Sequence, residues 1–297
     1  MGVITISNVT KRYGKKAVLD GISSQILDGQ VVALLGRNGS GKTTLMRILY
    51  GLIEPDRGET SVLGNNSRTN YVELRKQTAL VQEECHLYPW MSAETLAGFL
   101  SPLYPAWDEK LFSQTLIDLE VPLEKPVKFL SRGTRKKLML SLALAAQPTV
   151  LLLDEPLSGL DPVVREQILS TLIRTLSSQG KTFFLTSHEI NEIERVCDRV
   201  LILSQGKLIL DLGLDQAKTK IQRILATLQT PVEVLPQHPS IISACARGAE
   251  LDIIVQDFSA ELMASILSNF MVKESRVEGL SIEEMFRHLT SKKEEER

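Results

Sequence analysis

The spacing of apolar residues predicts strands that alternate with helices over roughly the first 215 residues. Ile4 and Ile6 alternate with polar neighbours, as in a half-buried strand, and residues 30–35 form a short apolar run. Residues 150–153 are four apolar residues in succession, which is typical of a buried parallel strand. Strands that alternate with helices in this way predict an α/β fold with a parallel core sheet.

A helical pattern occupies residues 92 to about 146, where Phe112 and Leu116 share the spacing of one helix face. We therefore expect a helical subdomain over about 84–146. A further helix is predicted to begin at Asp161-Pro162, because Asp is a favoured cap and Pro a favoured first-turn residue.

Residues 216–290 differ in pattern and predict a small α+β domain of their own. Ser281 and Glu284 form a capping box ahead of an amphipathic helix. The charged residues 291–297 are expected to form a frayed tail. The predicted segments are strands near 222–228, 250–256 and 270–277, and helices near 259–268 and 281–290.

The composition is that of a globular protein able to bury a sizeable core. Of 297 residues, 43% are hydrophobic and 24% are charged, so the fold needs no disulfide or metal to hold it. The 34 basic and 36 acidic side chains give a net charge of −2, and we therefore expect no nucleic-acid partner. The three scattered cysteines favour a reduced cytosolic compartment. The longest apolar stretch has about nine residues, so a membrane role would have to come through a partner.

A complete GxxxxGK[ST] phosphate-binding loop occupies residues 36–43, between a predicted strand and a predicted helix. Its glycines let successive backbone N–H groups face one anion, Lys42 can reach the β- and γ-phosphates, and the Thr43 hydroxyl can ligate Mg²⁺. The loop therefore predicts ATP and Mg²⁺ as ligands, and the alternative is a chance glycine turn. The expected nucleotide contacts here are Gly36, Asn38, Gly39, Ser40, Gly41, Lys42, Thr43 and Thr44.

Two carboxylates follow the apolar run 150–153, at the end of the strand where open α/β sheets bind their ligands. We expect Asp154 to hold Mg²⁺, mostly through water, and Glu155 to polarise the water that attacks the phosphate. The alternative for Glu155 is a structural glutamate that pairs with a nearby lysine.

Five further motifs occur along the same part of the chain. Tyr13 lies in KRYGKK, Gln82 ends the predicted strand TALVQ, and residues 130–134 read LSRGT. Residues 158–161 read SGLD, and His188 follows the predicted strand TFFLTS. With the phosphate loop and the two carboxylates, these motifs make residues 1 to about 215 resemble the nucleotide-binding subunit of an ABC transporter.

The resemblance implies a P-loop ATPase in which the parallel core sheet is joined by an antiparallel β subdomain and a helical subdomain. It also implies that Tyr13 stacks on adenine, that Gln82 lies near Mg²⁺, and that His188 contacts the γ-phosphate. Catalysis would then rest on Glu155, with His188, Gln82 and Lys42 in support.

The signature segment departs from the family's LSGGQ. Ser131 and Gly133, which in the family touch the γ-phosphate held by an opposing subunit, are present, and Asp161 matches the D-loop. Arg132 and Thr134 stand where the family has Gly and Gln. A basic residue at this position resembles a subgroup of bacterial exporter-type ATPases, as do the segments LYPAWD and LDPVVR. The resemblance therefore favours export, and import is the alternative.

The resemblance also implies partners. We expect a homodimer, or a heterodimer with a second ATPase subunit, that closes around ATP and drives a separate integral membrane subunit docked near residues 83–91. The chain would then be cytoplasmic and held at the inner face of the membrane by that partner. Two alternatives stay open: an ABC-type ATPase that acts on a soluble macromolecular complex, and a regulatory protein with an inactive site.

Overall fold

The structure, a computed structural model, describes residues 2–84, 86–188 and 190–295, and divides the chain into two compact units after Asp211. The first unit contains the following strands: β1 (Gly2–Tyr13), β2 (Lys16–Leu27), β3 (Val31–Leu35), β4 (Arg57–Val62), β5 (Asn65–Asn66), β6 (Thr78–Val81), β7 (Val150–Asp154), β8 (Thr182–Ser187), β9 (Arg199–Ser204) and β10 (Lys207–Gly213), which crosses the division. Its α-helices are α1 (Lys42–Leu49), α2 (Tyr71–Gln77), α3 (Ala93–Leu100), α4 (Glu109–Asp118), α5 (Arg132–Ala145), α6 (Pro162–Gln179) and α7 (Ile190–Ile193).

Two sheets form the first unit. One has the order β2-β1-β4-β5, with antiparallel pairing of β1 to β2 and to β4. The other has the order β10-β9-β3-β8-β7-β6, and β3, β6, β7, β8 and β9 pair in parallel. The α/β fold with a parallel core sheet and an antiparallel subdomain is therefore confirmed.

The main core lies where one face of each sheet meets α1. It includes Ile4 and Ile26 from the antiparallel sheet, Leu45 from α1, and Leu152 and Phe184 from the parallel sheet, all fully buried. Alternate residues of a strand point to opposite faces, and Val32 and Leu34 of β3 and Val150 and Leu152 of β7 enter this core in that alternation. This packing fixes α1 against the sheet and thereby places the loop in front of it.

The carboxyl ends of three neighbouring strands meet at one edge of the parallel sheet. In the register, Leu35 of β3 lies opposite Ser187 of β8, and Thr186 of β8 lies opposite Asp154 of β7. The three segments that follow β3, β7 and β8 therefore begin side by side. This is the position at which open α/β sheets place their ligands.

The helical region consists of α3, α4 and α5, with short 3₁₀ turns at Ser101–Leu103 and Val127–Phe129. The prediction of continuous helix from 92 to about 146 is therefore wrong between these helices. Pro102, Pro105 and Pro126 interrupt the pattern, because proline lacks the backbone N–H that a helix interior needs. The predicted apolar face of α4 is confirmed by the burial of Phe112 and Leu116.

The second unit is a four-stranded antiparallel sheet with helices. Its elements are α8 (Leu214–Lys220), β11 (Gln222–Leu228), β12 (Ile241–Arg247), β13 (Glu250–Val255), α9 (Ala260–Leu267), β14 (Val272–Gly279) and α10 (Ile282–Glu295), with sheet order β12-β13-β11-β14. The predicted capping box is confirmed, because the Ser281 hydroxyl accepts from the Glu284 N–H and the Glu284 carboxylate accepts from the Ser281 N–H. α10 continues to Glu295, since Lys and Glu favour helix, and the fraying expected of the charged tail stays a prediction. Residues 296–297 lie outside the described part.

Over the described ranges, no helix is both long enough and apolar enough to span a membrane.

Candidate functional site

The phosphate loop leaves β3 at Leu35 and enters α1 at Lys42. Gly39 and Gly41 have φ values of 78° and 112°, a left-handed conformation that favours glycine. A Cβ on Gly41 would lie 2.7 Å from the carbonyl oxygen of Val18, so the tight path of the loop requires glycine there. Glycine at these two positions therefore allows the tight path of the loop between β3 and α1.

Lys42 and Glu155 form a buried ion pair across the mouth of this loop. The Lys42 Nζ lies 3.2 Å from Oε1 of Glu155, and each side chain is 6% exposed. The same Nζ donates to the carbonyl oxygen of Gly36 at 2.7 Å. Glu155 therefore does pair with a lysine, as the structural alternative for this residue supposed. The lysine is Lys42, the residue expected to bind phosphate, so the pair also places the Glu155 carboxylate at the phosphate loop.

Asp154 is 2% exposed at the end of β7 and accepts hydrogen bonds from two hydroxyls. Thr186 Oγ1 donates to Oδ1 of Asp154 at 2.8 Å, and Thr43 Oγ1 donates to the same oxygen at 3.3 Å. Burial raises the pKa of Asp154, and the hydrogen bonds from Thr186 and Thr43 partly oppose that rise. A buried carboxylate beside a threonine hydroxyl is an oxygen-rich position of the kind that suits Mg²⁺.

His188 contacts the second oxygen of Glu155. Its Nδ1 lies 2.7 Å from Oε2, and its backbone N–H donates to the same oxygen at 3.2 Å. The imidazole side chain is 46% exposed, so one side of the ring remains open to solvent. The structure thus brings together Lys42, Thr43, Asp154, Glu155 and His188, all of which the sequence places at the site.

The phosphate loop carries one polar atom that suits a bound phosphate. Ser40 is buried, and its Oγ is one of the buried side-chain atoms without a hydrogen-bond partner in the described part of the chain. A buried hydroxyl normally finds a partner, so an unsatisfied one inside a glycine loop suits an anion that brings acceptor oxygens. A Cβ on Gly36 would lie 2.7 Å from the carbonyl oxygen of Leu203, so the loop is also closely packed from behind. The residues present therefore fit the phosphates of ATP.

The signature segment begins α5. Ser131 is its N-cap, and its exposed hydroxyl accepts from the Thr134 N–H at 3.1 Å. Gly133 lies in the first turn, where a Cβ would meet Leu160 at 3.6 Å. Arg132 turns towards the D-loop, since a Cβ on Gly159 would lie only 2.8 Å from the Arg132 guanidinium. The arginine that replaces the family's glycine therefore packs on a glycine of its own chain.

The D-loop contacts the segment that follows β6, and it caps α6. Ser158 Oγ donates to Oε1 of Glu83 at 3.3 Å, next to Gln82 at the end of β6. Asp161 is exposed and caps α6, because its Oδ1 accepts from the Val164 N–H at 3.0 Å. The predicted start of that helix is confirmed.

Other predicted site residues lie at the edges of this region. Tyr13 ends β1, is 52% exposed, and has the Lys11 Nζ 5.9 Å from its ring centroid. Asn38 is exposed at the tip of the phosphate loop, Thr44 is half-buried in α1, and Gln82 is half-buried after β6. Their expected ligand contacts stay predictions.

Sequence reasoning missed Thr186 and Lys136. Thr186 accepts from the Glu155 N–H at 2.9 Å as well as donating to Asp154, so one hydroxyl orients both carboxylate residues. Lys136 is 2% exposed and donates to the carbonyl oxygen of Glu155 at 2.9 Å. A threonine inside the apolar strand TFFLTS was the available signal for the first, and the sequence contains no comparable signal for the second.

Comparison with known proteins defines the class. The family model described as ABC transporter matches residues 19–158. A Methanocaldococcus jannaschii ABC transporter ATP-binding protein, MJ1023, is 36% identical over 69% of this chain and 76% of its own length. The ABC transporter ATP-binding protein YhcH of Bacillus subtilis is 29% identical over 99% of this chain and 98% of its own length. The chain belongs to the ATP-binding subunits of ABC transporters and is an ATPase.

Solved structures agree with that assignment. The dimeric structure of MJ0796, a bacterial ABC transporter cassette, superposes with a TM-score of 0.64 at 26% identity and covers 71% of this chain and 98% of its own. The names of other relatives at similar identity include both export and import ATP-binding proteins. Family membership therefore leaves the direction of transport open.

Proposed function

We propose that this subunit works as one half of a pair of ATP-binding subunits and drives export by a separate membrane subunit. The observation that carries the ATP chemistry of this proposal is the convergence of Lys42, Asp154, Glu155 and His188 on one phosphate loop. Intact side chains at each of these positions disfavour an inactive regulatory role.

In the proposed reaction, Lys42 binds the phosphates and Glu155 orients the attacking water. His188 contacts the γ-phosphate and helps to stabilise the negative charge that develops in the transition state. Thr43 and Asp154 would hold Mg²⁺, with Gln82 beside it, and this ion would neutralise charge on the phosphate oxygens. Tyr13 would cover the adenine with its exposed ring.

The second half of each site is proposed to come from the opposing subunit. Ser131 supports this proposal because its hydroxyl is exposed at the start of a 14-residue helix. A helix N-terminus favours anions, and Gly133 in its first turn lets a phosphate approach the backbone. Asp161 lies exposed in the D-loop, where an opposing subunit could reach it.

The proposed docking surface for the membrane subunit follows Gln82, over residues 83–91, of which Cys85 lies outside the described residues. Trp90 is 69% exposed and its ring centroid lies 5.3 Å from that of Tyr88. Tyr88 also meets Phe99 of α3 edge-on at 6.3 Å. Clustered exposed aromatic side chains are typical of protein interfaces. Export itself rests on the subgroup segments identified in the sequence.

The chemistry is tested with Glu155→Gln and Lys42→Ala. Glu155→Gln should keep ATP binding and lose about 10² to 10⁴ in turnover, because the amide cannot accept a proton from water. Lys42→Ala should lose tight binding of Mg-ATP in calorimetry, because the charge that meets the phosphates is gone. Glu166→Gln, at a carboxylate that is 58% exposed, is the control and should keep the wild-type rate. Wild-type turnover by Glu155→Gln would remove Glu155 from the mechanism.

The assembly is tested by light scattering and by purification from membranes. ATP should convert Glu155→Gln from monomer to dimer, since binding without hydrolysis traps the closed pair. The full-length chain should copurify with an integral membrane protein, and Trp90→Ala should reduce that recovery without changing basal ATP hydrolysis. A fully active enzyme that stays monomeric with ATP would exclude the two-subunit site.

A further inference from the structure

Lys136 is a buried lysine of α5 with an unusual pair of acceptors. It is 2% exposed, whereas lysine is rarely buried to this extent. Its Nζ donates to the carbonyl oxygen of Glu155 at 2.9 Å and to that of Ser158 at 2.8 Å. Both carbonyl groups belong to the segment between β7 and α6. One ammonium group therefore holds two backbone positions of that segment in a single arrangement.

The backbone of Glu155 needs such support. Its φ is 49°, in the left-handed region that residues other than glycine occupy at an energetic cost. The Glu155 N–H donates to Thr186 Oγ1 at 2.9 Å, and its carbonyl oxygen accepts from the Ser158 N–H at 3.2 Å as well as from Lys136. A strained conformation persists only where its surroundings determine it. Among the described residues, three hydrogen bonds engage the backbone N–H and C=O of Glu155, and the bond from Lys136 comes from a charged group.

The same lysine lies on the helix that begins at Ser131. Five residues of α-helix correspond to about one and a half turns, or roughly 7.5 Å along the axis. Because α5 is continuous from Arg132 to Ala145, a displacement at its N-terminus is carried to the Lys136 position. The hydrogen bonds of Lys136 then carry it to the carbonyl group of Glu155.

We propose that Lys136 is a positioning residue that ties the backbone of Glu155 to the helix beginning at Ser131. An opposing subunit bound at Ser131 would thereby determine the orientation of the hydrolytic carboxylate. The inference rests on the two-subunit function proposed above. In each chain, the orientation of Glu155 would then depend on whether the partner subunit's nucleotide contacts Ser131.

The first test separates the loss of hydrogen-bond donors at residue 136 from the loss of side-chain volume. Lys136→Met keeps the length of the side chain and removes every donor, whereas Lys136→Gln keeps an NH₂ group that can donate two hydrogen bonds. In the full-length protein, we expect Lys136→Met to lower kcat about 10- to 100-fold with KM for ATP within about 2-fold of wild type. Lys136→Gln should recover to within about 5-fold of the wild-type kcat.

The matched control is Lys181→Met. Lys181 is also a buried lysine, and its Nζ donates to Oε1 of Gln147 at 2.7 Å. It precedes β8, at the end of that strand away from Thr186. Lys181→Met should lower the thermal midpoint and leave kcat unchanged. An equal kcat in Lys136→Met and wild type, with only a lower thermal midpoint, would overturn the positioning role.

The tie to Ser131 is tested in the double variant Ser131→Ala/Lys136→Met. Independent effects on kcat multiply, and effects carried by one element do not. We expect the combined loss to be smaller than the product by about 3-fold or more. Multiplicative losses would overturn the tie.

Two further outcomes keep the test decisive. If Lys136→Met does not fold, Lys136→Asn replaces it, because the shorter amide side chain cannot reach both carbonyl groups. An equal kcat in Lys136→Asn and Lys136→Gln would then overturn the proposal. If Glu155→Gln turns over ATP at the wild-type rate, the proposed function fails. A dead Glu155→Gln beside a normal Lys136→Met refutes only the inference about Lys136.

Discussion

Neutralising Asp154 should stabilise the protein in the absence of nucleotide. Asp154 is 2% exposed, and the hydrogen bonds to its Oδ1 come from the hydroxyls of Thr186 and Thr43. Lys42, the cation of this site, is paired with Glu155. Asp154→Asn keeps the shape and the acceptor oxygen and removes the charge, so it should raise the thermal midpoint of the ligand-free subunit.

The magnitude follows from two opposing contributions. Burying a carboxylate away from a cation costs several kcal/mol, and a hydrogen bond to a charged acceptor returns about 1.5–3 kcal/mol. The bond from Thr186 is 2.8 Å and the bond from Thr43 is a long 3.3 Å, so they offset only part of the cost. A net gain of about 1–2 kcal/mol for Asp154→Asn corresponds to a rise of roughly 2–8 °C in a domain of this size.

The raised pKa of Asp154 also determines whether its contribution to stability rises or falls with pH. Burial raises the pKa of Asp154 in the folded state, so the protonated carboxyl is favoured by folding and the ionised one is disfavoured. The contribution of Asp154 to the stability of the wild type should therefore fall as the pH rises from the unfolded-state pKa of about 3.9 through the higher folded value. The advantage of Asp154→Asn should be absent below that window and complete above it.

The assay is thermal unfolding by circular dichroism from pH 3.5 to 8, with Asp20→Asn as the control. The side chain of Asp20 is 50% exposed, so neutralising it should have little effect at any pH. Mg-ATP should reverse the order, stabilising wild type more than Asp154→Asn, if Asp154 holds the ion. A thermal midpoint for ligand-free Asp154→Asn at pH 8 equal to or below that of wild type would refute the reasoning.

Four further outcomes follow from the signature segment, the D-loop and the cysteines. Gly159→Ala should lower the thermal midpoint, because Gly159 has φ 67° and a Cβ would lie 2.8 Å from the Arg132 guanidinium. Arg132→Gly alone should keep most of the ATPase activity. Combined with Gly159→Ala, it should recover the part of the loss in thermal midpoint that comes from the contact with the guanidinium. No recovery would assign that loss to the strained φ of residue 159 alone. Ser131→Arg should leave ATP binding by the monomer intact in calorimetry and abolish ATP-dependent dimer formation in light scattering, and a normal dimer would exclude Ser131 from the interface. In a Cys85→Ser background, exposed Cys245 should react with a thiol reagent well before Cys197, which is 6% exposed, and equal rates would contradict their burial.

The elements that could be predicted from the sequence have a strong local signal. The run 150–153 is apolar at every position and becomes β7, and the capping box at Ser281 and Glu284 marks the start of α10. β12 was missed because Ser243, Ala244, Cys245 and Ala246 are small and do not alternate clearly between polar and apolar. Such a strand is set by its pairing with β13, a contact that local pattern does not encode.

The site shows the same division between local and distant information. A motif defines Lys42 and Glu155 individually, because each stands at a fixed spacing from glycines or from a strand. Their mutual contact depends on the register of β3, β8 and β7, which the sequence does not display. Thr186 and Lys136 belong to no motif that we identified, and their role depends wholly on which strand and which helix the fold places beside Glu155.

The contacts of Glu155 also indicate an order of events. Its Oε1 is engaged by Lys42 at 3.2 Å, and its Oε2 by the ring and the backbone N–H of His188 at 2.7 and 3.2 Å. A carboxylate oxygen accepts a proton from water only through a lone pair that no other donor occupies. Phosphates that arrive in the loop compete with Glu155 for Lys42, since both are anions that bind the same ammonium group. On the proposed mechanism, nucleotide binding therefore releases Oε1 of the hydrolytic carboxylate from its ion pair, so that this oxygen can meet the attacking water once a phosphate is in place.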